Sequence, residues 1–473
     1  MLLERFEDRG LAHYSYAVGD EGARKVAIVD PRRDVDVYVN WAAGRGYTIA
    51  SVLETHIHAD FASGARELAA RTGATLHLSA YDEGERYEVA FPHQAMREGD
   101  AVELGKVRLV ALHTPGHTPE HLTFLVVDSA RSATVPIAAL TGDFLFVGAL
   151  GRPDLLGEEA KHGLARALFR SVREKLAGLP DGLEVYPAHG AGSMCGAGMS
   201  SRPFSTLGFE RIANPFLDPQ LGEAAFVDKI LAAAPPFPPY YLRMKELNAA
   251  GPPLLGSLPG LDPIAAPRFR ELAEDGEHVV IDLRDQLAFG GGHLPRALGI
   301  GVDGGSLSTW AGWLVPYEQP LLLVAAEPAD VEPAVRALVR VGLDGVEGWL
   351  EGGMERWIER GFPLETLPQL SVRELAAQRD SAAGNGAAPT VLDIRADSEW
   401  SQGHVAGAHH LMGGFVPQRL DEVPEGPLAV MCGGGYRSTA VASFLRRAGR
   451  DNVINVTGGM GAWKRAGLPL DRS

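Results

Sequence analysis

The second half of this chain repeats itself, and the repeat limits what the chain can fold into more than any other feature. Val279-Val280-Ile281-Asp282-Leu283-Arg284 returns as Thr390-Val391-Leu392-Asp393-Ile394-Arg395, and Gly292-His293-Leu294-Pro295-Arg296-Ala297 returns as Gly403-His404-Val405-Ala406-Gly407-Ala408, both offset by 111 residues. Glu351-Gly352-Gly353-Met354 through Trp357 returns as Thr457-Gly458-Gly459-Met460 through Trp463, offset by 106. A period this long is no solenoid; it means two copies of one small α/β domain. The residues before the repeat alternate short β-rich runs, such as Lys25 to Asp30, Val107 to Leu112 and Leu122 to Val127, with helical patterns at 62–72 and 161–176. That mixture predicts a layered α/β domain. The proline-dense Ala234-Pro235-Pro236-Phe237-Pro238-Pro239, with Gly251-Pro252-Pro253 after it, reads as an extended connection. The expected division is a first domain at 1–240, a proline-rich linker at 241–264, and α/β copies at 265–366 and 367–473. Residues 382–388 read as a flexible loop inside the second copy.

Composition removes several functional classes. At 473 residues the chain is too long for a single core. A formal charge of −16 repels nucleic acid and anionic membranes, so neither is an expected partner. No apolar run approaches the roughly 18 residues of a membrane span. The start, Met1 to Asp8, has neither the apolar core nor the cleavage site of a signal peptide. Cys195 and Cys432 are the only cysteines and stand 237 positions apart, which is no disulfide framework. A reducing cytoplasm is the expected setting. Each cysteine is then either a reactive thiol or a small buried hydrophobe.

Four segments place metal donors at strand ends. Thr55-His56-Ile57-His58-Ala59-Asp60-Phe61 follows the apolar run 49–53. His113-Thr114-Pro115-Gly116-His117 turns at Pro-Gly, Gly142-Asp143 follows the apolar run 135–140, and His189 lies in Tyr186-Pro187-Ala188-His189-Gly190. One such histidine is ordinarily a hydrogen-bonded core or surface residue; four segments in this order predict a metal cradle.

These residues resemble the metallo-β-lactamase superfamily over roughly 1–240, and within it the persulfide dioxygenases, which are similar to glyoxalase II but oxidise sulfur. The resemblance implies an αββα sandwich. In the hydrolase branch a His-x-His-x-Asp-His motif feeds two metals. Phe61 stands where its last histidine would be, and a phenyl ring offers no lone pair, so one metal is favoured. In the dioxygenases that metal is iron, and its ligands map onto His56, His117 and Asp143. Two imidazoles and a carboxylate on one face form the facial triad of non-haem Fe(II) oxygenases, with positions left open for substrate and O₂. One Fe(II) per chain is therefore expected, with zinc able to replace it in a purified sample. His58, Asp60 and His189 then orient ligands or water, although the pattern leaves His58 open as a direct ligand. Arg152, in Gly151-Arg152-Pro153-Asp154, matches the family arginine that holds the thiol carrier, as its fork suits a carboxylate or phosphate; otherwise it is a surface arginine in a turn. Cys195, six residues past His189, either sits near the metal to relay sulfur or is a buried structural cysteine.

The second copy delivers Cys432 from an apolar strand into Cys432-Gly433-Gly434-Gly435-Tyr436-Arg437, ahead of a helical pattern at 439–447. Glycines let successive N–H groups turn toward one atom, and a helix N-terminus and Arg437 add positive charge, so the loop favours a thiolate or persulfide anion. Together with Leu-Asp-Ile-Arg, Gly-His and Gly-Gly-Met-x-x-Trp, this loop resembles the rhodanese sulfurtransferases. The first copy has Ala325 where the cysteine belongs, and no glycine-rich cradle follows it. The resemblance implies a metallo-β-lactamase-type persulfide dioxygenase fused to an inactive and an active rhodanese, an order found in bacterial sulfide-detoxification enzymes. Its expected partners are a low-molecular-weight persulfide of the glutathione, coenzyme A or bacillithiol type, O₂, sulfite and thiosulfate. A glyoxalase II-like thioester hydrolase is the alternative. The thiol carrier, the direction of sulfur transfer and homo-oligomerisation stay open.

Overall fold

A computed structural model of the chain describes residues 1–302, 305–382 and 388–472. Most of the loop expected at 382–388 lies outside the described residues. The described chain forms two compact units, one of Met1–Ser257 with Val339–Gly342 and one of Leu258–Leu338 with Leu343–Ser473. No described helix is long and apolar enough to cross a membrane.

The first unit is built on two six-stranded sheets. One takes its strands in chain order: Leu2–Asp8, His13–Asp20, Lys25–Val29, Thr48–Leu53, Thr75–Ser79 and Gln94–Met96. The other runs Ser205–Thr206, Glu184–Pro187, Ala138–Gly142, Leu122–Asp128, Val107–His113 and Ala101–Leu104 across the sheet. Side chains on a strand alternate between faces, and here the two faces enter two different cores. In Lys25–Val29, Ala27 and Val29 join Val18 and Leu53 against Leu109, Phe124 and Leu140 of the other sheet. Val26 and Ile28 turn the other way, onto Tyr38 and Leu68 of the helices Asp36–Arg45 and Ala65–Thr72. The second sheet packs its outer face on helices Glu158–Arg170 and Glu223–Ala233 through Ala165, Leu168 and Phe226. The layers are therefore helix, sheet, sheet, helix, and the four donor segments leave strands at one edge of this sandwich.

The segment expected as a linker at 241–264 does not begin as one. Tyr240–Ala250 is a helix that buries Tyr241, Met244, Lys245 and Asn248. The chain beyond it is held to the same unit: the buried Glu67 carboxylate accepts from the Leu255 and Gly256 N–H groups at 2.7 and 3.1 Å. Proline density marks where this helix starts and stops, not a free connection.

The second unit contains two five-stranded, all-parallel sheets. The first runs Pro263–Ile264, Val346–Leu350, Leu321–Val324, Val279–Asp282, Leu298–Gly299, and the second runs Gln369–Ser371, Val453–Thr457, Leu428–Met431, Thr390–Asp393, His409–His410. Numbered along the chain, both have the order 1-5-4-2-3. The repeat recurs atom for atom. Arg284 forks onto Asp282 and donates to the Gly292 carbonyl, as Arg395 does to Asp393 and the Gly403 carbonyl. Trp357 Nε1 donates to Pro363 O at 2.8 Å, and Trp463 Nε1 to Pro469 O at 2.9 Å.

Candidate functional site

His56, His117 and Asp143 are brought together from three strand ends, all three buried, with one donor atom of each within 4.8 Å of the others. Asp143 Oδ2 lies 3.8 Å from His56 Nε2 and 3.4 Å from His117 Nε2. Gly142, at φ +50°, makes the turn that aims this carboxylate, and a Cβ there would come within 2.6 Å of His121 Nε2 and Thr55 Oγ1.

Outer contacts set the tautomers. Thr55 Oγ1 donates to Asp30 Oδ2 at 2.9 Å, so the His56 Nδ1–H donates to Thr55 Oγ1 and leaves Nε2 with its lone pair. The His117 Nδ1–H donates to the Arg152 carbonyl at 2.8 Å, with the same result. Burial, with nearby His58 and His117 for His56 and Lys245 for His117, holds both imidazoles well below their ordinary pKa and therefore neutral. Burial also pushes the Asp143 carboxyl up to about 6, opposed by His189. His117 Nε2 and both Asp143 oxygens are buried without a hydrogen-bond partner. Neutral imidazoles and a carboxylate with stranded lone pairs are costly as they stand and fit a metal ion.

A second group lies beside the first. Asp60, His189 and Cys195 converge within 4.8 Å, also buried. His189 Nε2 is 3.3 Å from Asp60 Oδ2 and 3.5 Å from Asp143 Oδ1, so Asp143 faces both groups. Burial opposes the His189 charge, but Asp60 and Asp143 overcome it and raise its pKa to about 9. Burial and the same two carboxylates push the Cys195 thiol well above its ordinary value. Phe61 removes one donor from this side, and Cys195, one of whose two expected places was near the metal, stands here as a third donor beside Asp60 and His189.

His58 is placed elsewhere. Its Nε2 sits 3.2 Å from Asp30 Oδ1 and 2.9 Å from Glu54 Oε2, in close charge contact rather than aligned hydrogen bonds. Burial works against its charge, yet these carboxylates raise its pKa well above the ordinary value. Asp30 holds this position at φ +52°, a strained conformation of the kind found at functional sites. Phe61 is fully buried between the His13 and His58 rings, at centroid distances of 4.2 and 4.4 Å.

Arg152 departs from expectation. Its guanidinium forks onto Asp154 at 2.7 Å through Nε and Nη2 and also donates to the Met194 and Pro235 carbonyls. It is buried and committed, so no fork remains for a thiol carrier; it ties the loop carrying Cys195 to the strand-end loop after Asp143.

Other residues of the site carry no local signal. Lys245 Nζ donates to Ile57 O at 2.7 Å, and Asn248 Nδ2 donates to His58 O at 2.9 Å and Phe61 O at 2.8 Å. The Ser63 N–H donates back to Asn248 Oδ1 at 2.8 Å, and the Ile57 N–H to Glu120 Oε1 at 2.9 Å. His121 accepts from the Asp143 N–H and donates to Thr114, so both of its nitrogens are occupied.

In the second unit, Cys432 is buried at the end of strand Leu428–Met431. The Gly435 N–H donates to its Sγ at 3.0 Å and the Ser438 hydroxyl at 3.4 Å, at the start of helix Tyr436–Arg447. Gly433 packs against Arg437, and nothing crowds the Cα of Gly434. Arg437 forks onto Glu399 at 2.7 and 2.8 Å, a partner absent from the expected set. Tyr436 points away, donating to Gly301 O at 3.0 Å. In the first copy Ala325 is buried at the equivalent strand end.

The metallo-beta-lactamase superfamily profile matches residues 8–189, and the rhodanese-like domain profile matches 372–466. A probable metallo-hydrolase of Burkholderia pseudomallei is 31% identical over 218 residues, 40% of this chain and 72% of its own. The mitochondrial persulfide dioxygenase ETHE1 of Mus musculus is 28% identical over 222 residues, 46% of this chain and 76% of its own. The crystal structure of a metallo-beta-lactamase from Staphylococcus aureus is 32% identical and superposes with a TM-score of 0.64 over 74% of this chain and 98% of that one.

Proposed function

The chain belongs to the metallo-beta-lactamase superfamily, in an ETHE1-like form fused to a C-terminal rhodanese-like domain, and from this we propose that it is a persulfide dioxygenase joined to a sulfurtransferase. The proposed dioxygenase reaction takes RSSH, O₂ and water to RSH, sulfite and two protons. His56, His117 and Asp143 would hold one Fe(II), which when bound supplies the redox chemistry that couples O₂ to sulfur oxidation. The carrying observation is the donor set itself, two buried imidazoles and one buried carboxylate with donor atoms within 4.8 Å of one another; Phe61, packed between the His13 and His58 rings, offers no lone pair to a further metal.

The protein's own groups do the rest. Thr55 and the Arg152 carbonyl keep the Nε2 lone pairs of His56 and His117 turned inward. Lys245 and Asn248 fix the loop that carries His56 and Asp60. His189 Nε2 lies between the Asp60 and Asp143 carboxylates, at 3.3 and 3.5 Å, and would orient the Asp143 ligand. In the second unit, Cys432 would carry sulfane sulfur within the Gly433-Gly434-Gly435 loop. Transfer between persulfide and sulfite gives thiol and thiosulfate, or runs in reverse. The first α/β copy is read as a rhodanese-like domain without its cysteine. The thiol carrier is a glutathione, coenzyme A or bacillithiol type.

The test is anaerobic reconstitution with Fe(II), then oxygen uptake with the three persulfides; uptake with at least one is expected, and none with any would end the dioxygenase reading. A two-metal hydrolase is the second reading, favoured by the convergence of Asp60, His189 and Cys195 beside Asp143. Metal content separates them: about one iron per chain for the dioxygenase, two zincs for the hydrolase.

A further inference from the structure

The turn after the Gly-His pair of each α/β copy has one residue in the left-handed region. In the second copy it is Gly407, at φ +67°, and in the first it is Arg296, at φ +61°. Glycine enters this region freely, whereas a residue with a Cβ pays about 1 kcal/mol. The first copy thus keeps an arginine where its own duplicate uses the unstrained residue.

Arg296 lines a cavity of about 220 Å³, partly open to solvent, together with Glu274, His278, Leu294, Trp357 and Arg447. The other charged groups there are engaged. Glu274 accepts from Arg270 at 2.7 Å, and the His278 ring lies between Asp275 at 2.8 Å and Glu347 at 3.1 Å. Arg447 Nη1 donates to the Arg296 carbonyl at 3.2 Å. Among the described residues neither Arg296 nor Arg447 forms a salt bridge. Burial and the neighbouring Arg296 charge push the Arg447 pKa below its ordinary value, so two mutually repelling cations face one concave space. Arg447 ends helix Tyr436–Arg447, whose 12 residues span about 18 Å, so the cavity is separate from the Cys432 loop at the helix start.

We propose that this cavity binds a small molecule through a tetrahedral oxyanion group, of phosphate or sulfonate type, seated between the Arg296 and Arg447 guanidiniums with any apolar part against Leu294 and Trp357. The strain at Arg296 is then the cost of presenting one half of a two-arginine clamp.

The experiment is thermal unfolding of the full chain in inorganic phosphate against potassium chloride of equal ionic strength. Phosphate at about ten times its dissociation constant should raise the transition of the second unit by about 3 °C over chloride. Arg296→Gly removes guanidinium and strain together, so without phosphate it should melt at the wild-type temperature or higher, yet lose the phosphate shift. Arg447→Gln should lose it too, and Cys432→Ser should keep it. No shift beyond chloride in the wild type, a full shift in Arg296→Gly, or its loss in Cys432→Ser would each overturn the proposal. Phenyl phosphate run alongside separates the sources: tighter half-saturation marks the charged end of a larger molecule, and equal half-saturation a free oxyanion.

Discussion

Replacing Asn248 by alanine tests whether the helix after the proline-dense stretch belongs to the metal cradle. The Asn248 amide makes three hydrogen bonds of 2.8 to 2.9 Å to residues 58, 61 and 63, all of them buried. Alanine strands two carbonyls and one N–H. Each buried group left without its partner costs about 1–3 kcal/mol. A water in the vacated space would recover part of that, so the net loss is about 3 kcal/mol. For a unit of this size that is a drop of about 6–12 °C in Tm. The loop so released carries His56 and Asp60, and loss of a contact that orients ligands weakens metal binding about 10- to 100-fold. Thermal unfolding of the first unit reads the stability loss, and competition with a chelator reads the affinity. Glu246→Ala, on the exposed face of the same helix, should stay within about 0.5 kcal/mol. A Tm drop under 2 °C in Asn248→Ala, with unchanged metal affinity, would show that the helix merely abuts the site.

Three further outcomes are expected. Phe61→His restores a nitrogen donor beside Asp60, His189 and Cys195, so the zinc-reconstituted protein should hold two metals per chain by elemental analysis where the parent holds one; unchanged stoichiometry would mean that Phe61 is not what limits the count. Cys432→Ser should abolish thiosulfate:cyanide sulfur transfer and leave oxygen uptake largely intact, and equal loss of both would contradict separate sites. Burial works against the Glu399 charge, but the Arg437 fork outweighs it and holds the carboxyl below its ordinary 4.5. The stabilisation is therefore present above pH 4.5 and lost as pH falls through the lower folded value. Denaturant titrations should find wild type more stable than Glu399→Gln at neutral pH by no more than about 1 kcal/mol, because the pair is partly exposed, with the gap closing below pH 4.5.

What could be read along the chain depended on how far apart the contributing residues lie. The donors His56, His117, Asp143 and His189 each stand just after an apolar strand, so strand pattern and residue type together marked them. Asn248 and Lys245 meet the same loop from almost two hundred residues downstream, and nothing in Lys-Glu-Leu-Asn distinguishes them from any amphipathic helix. Arg152 shows the opposite failure. Its turn context was plain, but whether its fork faces a ligand or an internal acid depends on Asp154, Met194 and Pro235, only one of which is a sequence neighbour. Prolines around 234–239 and 252–253 do restrict the chain there, yet they bracket a helix instead of replacing it. Six residues past His189, Cys195 could be read either as a thiol near the metal or as a buried structural cysteine, and only the fold sets it against Asp60 and His189.

The duplication in the second unit separates what holds the α/β fold from what performs chemistry. Both copies keep the Asp–Arg fork, the histidine stacked on an aromatic ring (His293 on Phe289 at 3.9 Å, His404 on Trp400 at 3.5 Å) and the tryptophan bonded to a proline carbonyl. These contacts close the same turns whether or not a cysteine is present, so they account for the fold and cannot account for sulfur transfer. The copies part company at the end of the fourth strand. There Cys432 meets the Gly435 N–H, while Ala325 leads into Glu327 and a short turn capped by Asp330. An acidic residue at that turn would repel an anionic sulfur species, so under the sulfur transfer proposed for Cys432 the first copy would lack the nucleophile and also carry the opposite charge. At the opposite end of the parallel strands, Arg296 stands where the second copy has Gly407, which instead has the Arg379 guanidinium beside it. Both differences sit at turns, outside the contacts that close the shared fold.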